Sequence, residues 1–140
     1  MKSRTWSGVA FLASLALLVG LIGLIQHFRV STPENVIEGT TANFEDVVVK
    51  SPEPVYVFFY VGGGKCKACD AEQPIFAKLA TEYKGTVRFV RVDASKEPAI
   101  AQAAGLTRVP AHIFLKPAEQ IGTGGAGFLD EPTMSAQIFL

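Results

Sequence analysis

Charged residues are scarce in this chain, and neither sign prevails. They make up 19% of the 140 residues, with 13 Lys and Arg against 13 Asp and Glu. A nucleic-acid-binding protein would carry a basic excess, and a disordered chain would be richer in charge and poorer in apolar residues. The composition therefore argues against both classes, and we expect no nucleic-acid partner. The length leaves room for one domain rather than two.

Cysteine is scarce as well. The chain contains only Cys66 and Cys69. Two cysteines are too few for a disulfide-stapled scaffold or for a four-cysteine zinc site. They are enough for one redox pair.

Apolar residues are abundant, at 49%, and many of them lie in one run near the N-terminus. No side chain from Gly8 to Ile25 is charged, and a helix of that length covers the roughly 30 Å of bilayer hydrocarbon. We predict a transmembrane signal-anchor helix over residues 8–26, after a cytoplasmic tip at residues 1–7. A cleaved signal peptide is the alternative, but it would have a shorter apolar region that ends at small residues.

The charges beside this run predict its orientation. Lys2 and Arg4 precede it, and positively charged flanks stay in the cytoplasm. We therefore expect a single pass through the inner (plasma) membrane, with the N-terminus in the cytoplasm. The rest of the chain would lie in the periplasm or an equivalent extracytoplasmic lumen, with residues 27–41 as a polar spacer and residues 42–140 as a globular domain.

The periodicity after the spacer alternates between helix and strand. The continuous apolar run Val55–Val61 is typical of a strand that is buried on both faces. Helices are predicted over residues 44–48, 68–83 and 96–104 and after Asp130, and strands over residues 36–37, 55–61, 87–92, 111–115 and 121–129. This order indicates an α/β fold with a mixed central sheet flanked by helices.

The two cysteines lie between the buried strand and the following helix. The positive end of the helix dipole, with Lys65 and Lys67 on either side of Cys66, would stabilise a thiolate. Cys66 could then attack a disulfide, and Cys69, one helical turn in, could resolve the mixed disulfide. A structural disulfide is one alternative. A metal site that includes His112 is another, but strand alternation favours His112 as a core or groove-lining residue, so we predict no metal.

Three further features are found together with the cysteine pair. Pro74 lies five residues after Cys69, a valine-rich strand ends at Asp93, and the segment Gly105–Pro110 ends in Val-Pro. With these features in register, residues 36–140 resemble the thioredoxin family.

The resemblance implies a thioredoxin fold for the domain and thiol–disulfide exchange with protein substrates. It also implies that Cys66 is the nucleophile, Cys69 the resolving thiol, and Pro110 a cis-proline beside them. The backbone of Val109 would then bind an extended substrate. No cofactor is needed, because the dithiol itself carries the electrons. A trans-proline that merely begins a strand is the alternative for Pro110.

The chain departs from the family pattern at the site itself. Thioredoxins carry a buried acid on the strand before the cysteines, where this chain has Phe58. Lys65 replaces the usual tryptophan, and Lys67-Ala68 replaces the usual Gly-Pro. The chain is thus more similar to the membrane-tethered, outward-facing relatives that serve disulfide reduction, isomerisation or cytochrome c maturation. Lys65, Lys67 and Asp93 are candidate modulators.

Such a protein would need a transmembrane redox partner to recharge it. The rival hypothesis is a non-catalytic thioredoxin-like module that holds a partner or a metal during assembly of a membrane complex. The two hypotheses differ in whether the cysteines exchange disulfides.

Overall fold

Five strands form one mixed sheet, as expected from the sequence. A computed structural model describes residues 33–117 and 123–139 of the chain. The strands are β1 Val36–Glu38, β2 Val55–Tyr60, β3 Arg88–Asp93, β4 Ala111–Leu115 and β5 Thr123–Ala126. Their order in the sheet is β1-β3-β2-β4-β5. β1 and β2 pair with β3 in parallel, whereas β4 runs antiparallel to both β2 and β5.

Within the described residues, three α-helices and one π-helical segment accompany the sheet. They are the π-helical segment Glu45–Val49, α1 Lys67–Glu82, α2 Pro98–Ala103 and α3 Glu131–Phe139. Successive side chains of β2 point to opposite faces of the sheet, and every residue of β2 is buried. Its even-numbered residues pack with residues of α1 and α3, and its odd-numbered residues with the π-helical segment and α2. The prediction of a strand buried on both faces is confirmed.

The sheet begins inside the segment predicted as a spacer. β1 lies within residues 27–41, so the sheet starts before residue 42. β1 is held by parallel pairing with β3, and the Gly39 N–H continues the pairing by donating to the Arg91 carbonyl at 2.8 Å. This edge is further fixed by an ion pair of 2.6 Å between Arg91 Nε and Glu38 Oε2.

An aromatic cluster fills the core between the sheet and α1. The Phe76 ring of α1 lies 5.0–5.7 Å, between centroids, from the rings of Tyr56, Phe58 and Phe89. These four side chains are fully buried. This packing places α1 across the central strands, and therefore places the cysteines at its start.

Truncation of Phe76 tests whether this cluster holds the fold. We expect Phe76→Ala to lower the free energy of unfolding by about 3–5 kcal/mol, because it removes a buried ring and leaves a cavity. Phe139→Ala is the matched control, since Phe139 is 76% exposed, and it should cost less than about 1 kcal/mol. Urea unfolding of both variants measures the difference, and equal losses would contradict the assignment of the core.

Candidate active site

Cys66 and Cys69 are joined by a disulfide at the beginning of α1. Their sulfurs are 2.04 Å apart and their Cα atoms 5.2 Å apart. The loop Gly62–Gly64 brings the chain from the end of β2 to this point. Gly63 and Gly64 have φ angles of +75° and +71°, values that other residues adopt rarely. The glycines therefore allow the short path from strand to helix.

The first cysteine lies at the N-terminal cap of the helix. Cys66 precedes the first residue of α1, and its Sγ accepts a hydrogen bond of 3.1 Å from the Cys69 N–H. A free N–H and the positive end of the helix dipole both stabilise negative charge. A thiolate formed at Cys66 would thus have a donor already in position.

The two cysteines differ in exposure. Cys66 is partly exposed, whereas Cys69 is 0% exposed and belongs to the core. A substrate disulfide can reach Cys66 but not Cys69. This difference suits the roles predicted for them, in which Cys66 attacks the substrate and Cys69 later resolves the mixed disulfide.

Val109 and Pro110 lie directly before β4. The peptide bond between them is cis. Pro110 is buried and Val109 is partly exposed. The start of β4 pairs with the end of β2, where Ala111 lies opposite Phe59, so the segment before β4 and the loop after β2 that leads to Cys66 leave the sheet at the same end.

The three candidate modulators have different surroundings. The Lys65 and Lys67 side chains are exposed on either side of Cys66. Asp93 is buried at the end of β3, where it accepts hydrogen bonds of 3.0 and 2.6 Å from the Ser95 N–H and hydroxyl. Burial raises the pKa of Asp93, but the hydrogen bonds from Ser95 and Gly62 and the charge of Lys96 outweigh it and hold the pKa below its usual value.

Asp93 therefore remains ionised at neutral pH, with its oxygens engaged. Its hydrogen bond from Gly62 reaches the loop that precedes the cysteines. Its contacts are those of a residue that positions this loop.

Glu72 is a site residue that sequence reasoning missed. It lies on α1, three residues after Cys69, and is 0% exposed. Its Oε2 lies 3.0 Å from Nε2 of His112, which is also 0% exposed. Its Oε1 accepts a hydrogen bond from the Leu129 N–H. Of the two predicted settings for His112, core or groove-lining, the structure shows the core. A signal for Glu72 was present, since an acid at this position interrupts the apolar face that includes Phe76.

The family's usual position for a buried acid is occupied by an aromatic ring. Phe58 stacks on the His112 ring, with centroids 5.1 Å apart and an interplanar angle of 11°. Tyr56 lies two residues before Phe58 on β2. Burial raises the pKa of its hydroxyl, and the negative charge of Glu72 raises that pKa further. The acid is thus present in this core, but it comes from α1 rather than from β2.

Two further predictions concern metals and the membrane. Within residues 33–117 and 123–139, no three His, Cys, Asp or Glu residues are grouped so that they could hold a metal ion. Over the same residues, no helix has the length and apolar character needed to cross a membrane. The predicted anchor at residues 8–26 lies outside the described residues.

Comparisons with known proteins agree with this site. The family model described as Thioredoxin matches residues 35–132. Thioredoxin C-2 of Corynebacterium nephridii is 30% identical over 104 residues, which cover 69% of this chain and 94% of the relative. The chloroplastic M-type thioredoxin of Pisum sativum is 30% identical over 122 residues, which cover 85% of this chain and 69% of the relative.

A thioredoxin of Pyropia yezoensis is 27% identical over 89 residues, which cover 64% of this chain and 81% of the relative. Thioredoxins are disulfide oxidoreductases, and the Cys66–Cys69 pair fits that activity. By its fold, its cysteine pair and these matches, the chain belongs to the thioredoxin family.

Proposed function

We propose that this chain is a membrane-anchored thiol–disulfide oxidoreductase that acts on protein substrates from the extracytoplasmic side. One observation carries the proposal of exchange. A partly exposed Cys66 lies at a helix N-terminus with an N–H donor on its sulfur, and it is bonded to a fully buried Cys69. In this arrangement the substrate can reach the Cys66 sulfur but not the buried Cys69 sulfur.

The exchange follows from the two exposures. In the reduced protein, the Cys66 thiolate attacks a substrate disulfide, forms a mixed disulfide and releases one substrate thiolate. The Cys69 thiolate then attacks Cys66 Sγ, which restores the Cys66–Cys69 disulfide and releases the second substrate thiolate. The substrate gains two electrons and takes up two protons. The reverse sequence oxidises a substrate dithiol, and no cofactor enters in either direction.

The substrate would bind at Val109 and Pro110. Val109 is partly exposed and shares a core cluster with Cys66. An extended substrate segment that pairs with the Val109 backbone by main-chain hydrogen bonds would bring its disulfide to Cys66. Main-chain pairing recognises the backbone of the substrate rather than its side chains, and this would allow the enzyme to act on several different proteins.

The location is proposed from the sequence. Residues 8–25 form an uncharged apolar run that follows Lys2 and Arg4 in the sequence. This pattern predicts an anchor with a cytoplasmic N-terminus. The domain would then face the periplasm or an equivalent lumen. In such an oxidising compartment, a reductant needs a transmembrane electron carrier as its partner, and an oxidant needs a quinone-linked one. Disulfide reduction and cytochrome c maturation are the roles that fit a reductant.

Serine substitution of each cysteine tests the exchange. We expect Cys66→Ser to slow the reduction of insulin disulfides by about a hundredfold or more, because it removes the nucleophile. Cys69→Ser should instead accumulate mixed disulfides with substrate proteins, because the intermediate can no longer be resolved. Non-reducing gel electrophoresis after acid quenching detects them, and the Cys66→Ser/Cys69→Ser double variant is the control.

Failure of this test would have a defined meaning. If the wild type exchanges no disulfides and Cys69→Ser captures no substrate, the oxidoreductase proposal is wrong. The non-catalytic module would then account for the fold.

Membrane fractionation of the full-length chain tests the anchor. We expect the wild type to stay with the membrane after an alkaline carbonate wash. Leu17→Arg/Leu18→Arg should release most of the protein, because each arginine at a helix centre costs about 2.5–3.5 kcal/mol of insertion free energy. Val49→Arg, at a described residue that is 70% exposed, should stay with the membrane. Release of the wild type would contradict the anchor.

The side of the membrane is tested with the same full-length chain. After reduction of intact cells, a membrane-impermeant maleimide should label Cys66. If labelling requires lysis, the domain lies on the cytoplasmic side.

A further inference from the structure

A carboxylate lies in the core of this protein, three residues after Cys69 on α1. Glu72 and Asp93 are the buried acids among the described residues. The oxygens of Asp93 are engaged at the end of β3. Glu72 has a different setting, because its partners are the His112 ring and the Leu129 N–H. Burial of a carboxylate is costly unless it is paired, so this pair requires an explanation.

Chain geometry places the pair close to Cys69. Cys69 and Glu72 are three residues apart on α1, and both are fully buried. Residues at this spacing share a helix face, with Cβ atoms about 5–6 Å apart. On β4, His112 lies on the same face of the sheet as Phe114, which belongs to one core cluster with Cys69. Glu72 and His112 therefore lie behind Cys69, on the side away from the substrate.

The two nitrogens of the His112 ring have different surroundings. His112 Nδ1 is buried and has no hydrogen-bond partner among the described residues. A proton there would be a buried donor without an acceptor, which is costly. The geometry thus suits the tautomer in which Nε2–H donates to the Glu72 carboxylate, and it leaves Nδ1 as the ring atom that can accept a proton.

We propose that the Glu72–His112 pair is the internal proton acceptor for Cys69. This inference rests on the proposed thiol–disulfide exchange. When Cys69 resolves a mixed disulfide, its thiol proton moves to Nδ1 of His112, and the Glu72 carboxylate stabilises the imidazolium. The Cys69 thiolate attacks Cys66 Sγ, the bond from Cys66 to the substrate breaks, and the substrate leaves as a thiolate. The imidazolium then loses its proton to solvent and the substrate thiolate takes up a proton from solvent, which restores the pair to its starting state.

The other titratable groups around the pair do not compete for this proton. From β2, Tyr56 faces the pair with its ring 5.8 Å from the His112 ring. Burial raises its pKa, so it stays protonated, and its hydroxyl donates to Gln137. At the start of α3, Asp130 and Glu131 are engaged elsewhere, the first with the Thr133 N–H and the second with Lys78. The titratable groups near the pair at the start of α1 are Cys66 and Cys69 themselves.

Glu72 is a positioning residue in this scheme, because it acts through His112. Phe58 stacks on the His112 ring and so restricts the orientation of the imidazole. The pair thus performs the role that thioredoxins give to a buried acid on the strand before the cysteines. It does so from α1 and β4.

Two-step kinetics of the reduced full-length chain test the proposal. Reduced protein is mixed with 5,5′-dithiobis(2-nitrobenzoate), and the release of thionitrobenzoate is followed by stopped-flow absorbance. The first release reports attack by Cys66, and the second reports resolution by Cys69. We expect Glu72→Gln to slow the second release about tenfold or more, a loss typical of a removed general base, and to leave the first within about twofold. Glutamine preserves the size of the side chain and its acceptor for the Leu129 N–H.

The pH profile separates proton acceptance from a structural role. In the wild type, the second release should depend weakly on pH between about pH 6 and pH 8, because the acceptor is internal. In Glu72→Gln it should rise about tenfold per pH unit, because Cys69 must then lose its proton to solvent. Loss of a negative charge alone would favour the Cys69 thiolate and accelerate this step, so slower resolution identifies proton transfer.

His112→Gln supplies a second variant if Glu72→Gln folds poorly. It should show the same slow second release, and the double variant should be no slower than either single variant, because the two residues act as a unit. Glu82→Gln is the matched control, since it removes an exposed carboxylate from the far end of the same helix.

Two outcomes distinguish failure of the proton-acceptor proposal from failure of the proposed thiol–disulfide exchange. If the first release is normal but the second is as fast in Glu72→Gln and His112→Gln as in Glu82→Gln, the pair is not the proton acceptor. If the wild type shows neither release, the proposed exchange itself fails.

Discussion

The contact between Glu72 and His112 is the constraint on which the site depends. It joins α1 to β4, and the hydrogen bond from Leu129 adds the segment before α3. A buried charge without partners would cost several kcal/mol, so α1 can pack on the sheet only in an orientation that satisfies this carboxylate. That orientation also turns Cys69 into the core and leaves Cys66 partly exposed. The difference between the two sulfurs is therefore a consequence of how the helix is seated.

The aromatic core supports this contact. Tyr56 and Phe58 of β2 flank the His112 ring, and Phe76 of α1 packs against both. These rings exclude water from the carboxylate, and a low local dielectric strengthens its interaction with the imidazole. At the position on β2 where thioredoxins have an acid, this chain thus has Phe58, whose ring stacks on the imidazole.

Much of the fold could be predicted from the sequence. Strand β4 has the range that was predicted for it, and α1 begins one residue before its predicted start. Runs of apolar residues and a 3.6-residue period specify these elements directly. Glu72 interrupts the apolar face of its helix, but its role could not be predicted, because a glutamate on a helix is ordinarily solvated and its partner is a histidine forty residues later in the chain. The extent of β1 was underestimated for a similar reason. Three residues in a polar segment become a strand only because β3 pairs with them.

The central claim is that Cys66 and Cys69 form a reversible two-electron couple rather than a structural crosslink. Equilibrium titration of the full-length chain in glutathione and dithiothreitol redox buffers measures its midpoint potential most directly. The account predicts a single transition between about −270 mV, the value typical of a reductant, and about −120 mV, that of a strong oxidant. A midpoint below about −300 mV, which is typical of structural disulfides in secreted proteins, would contradict it.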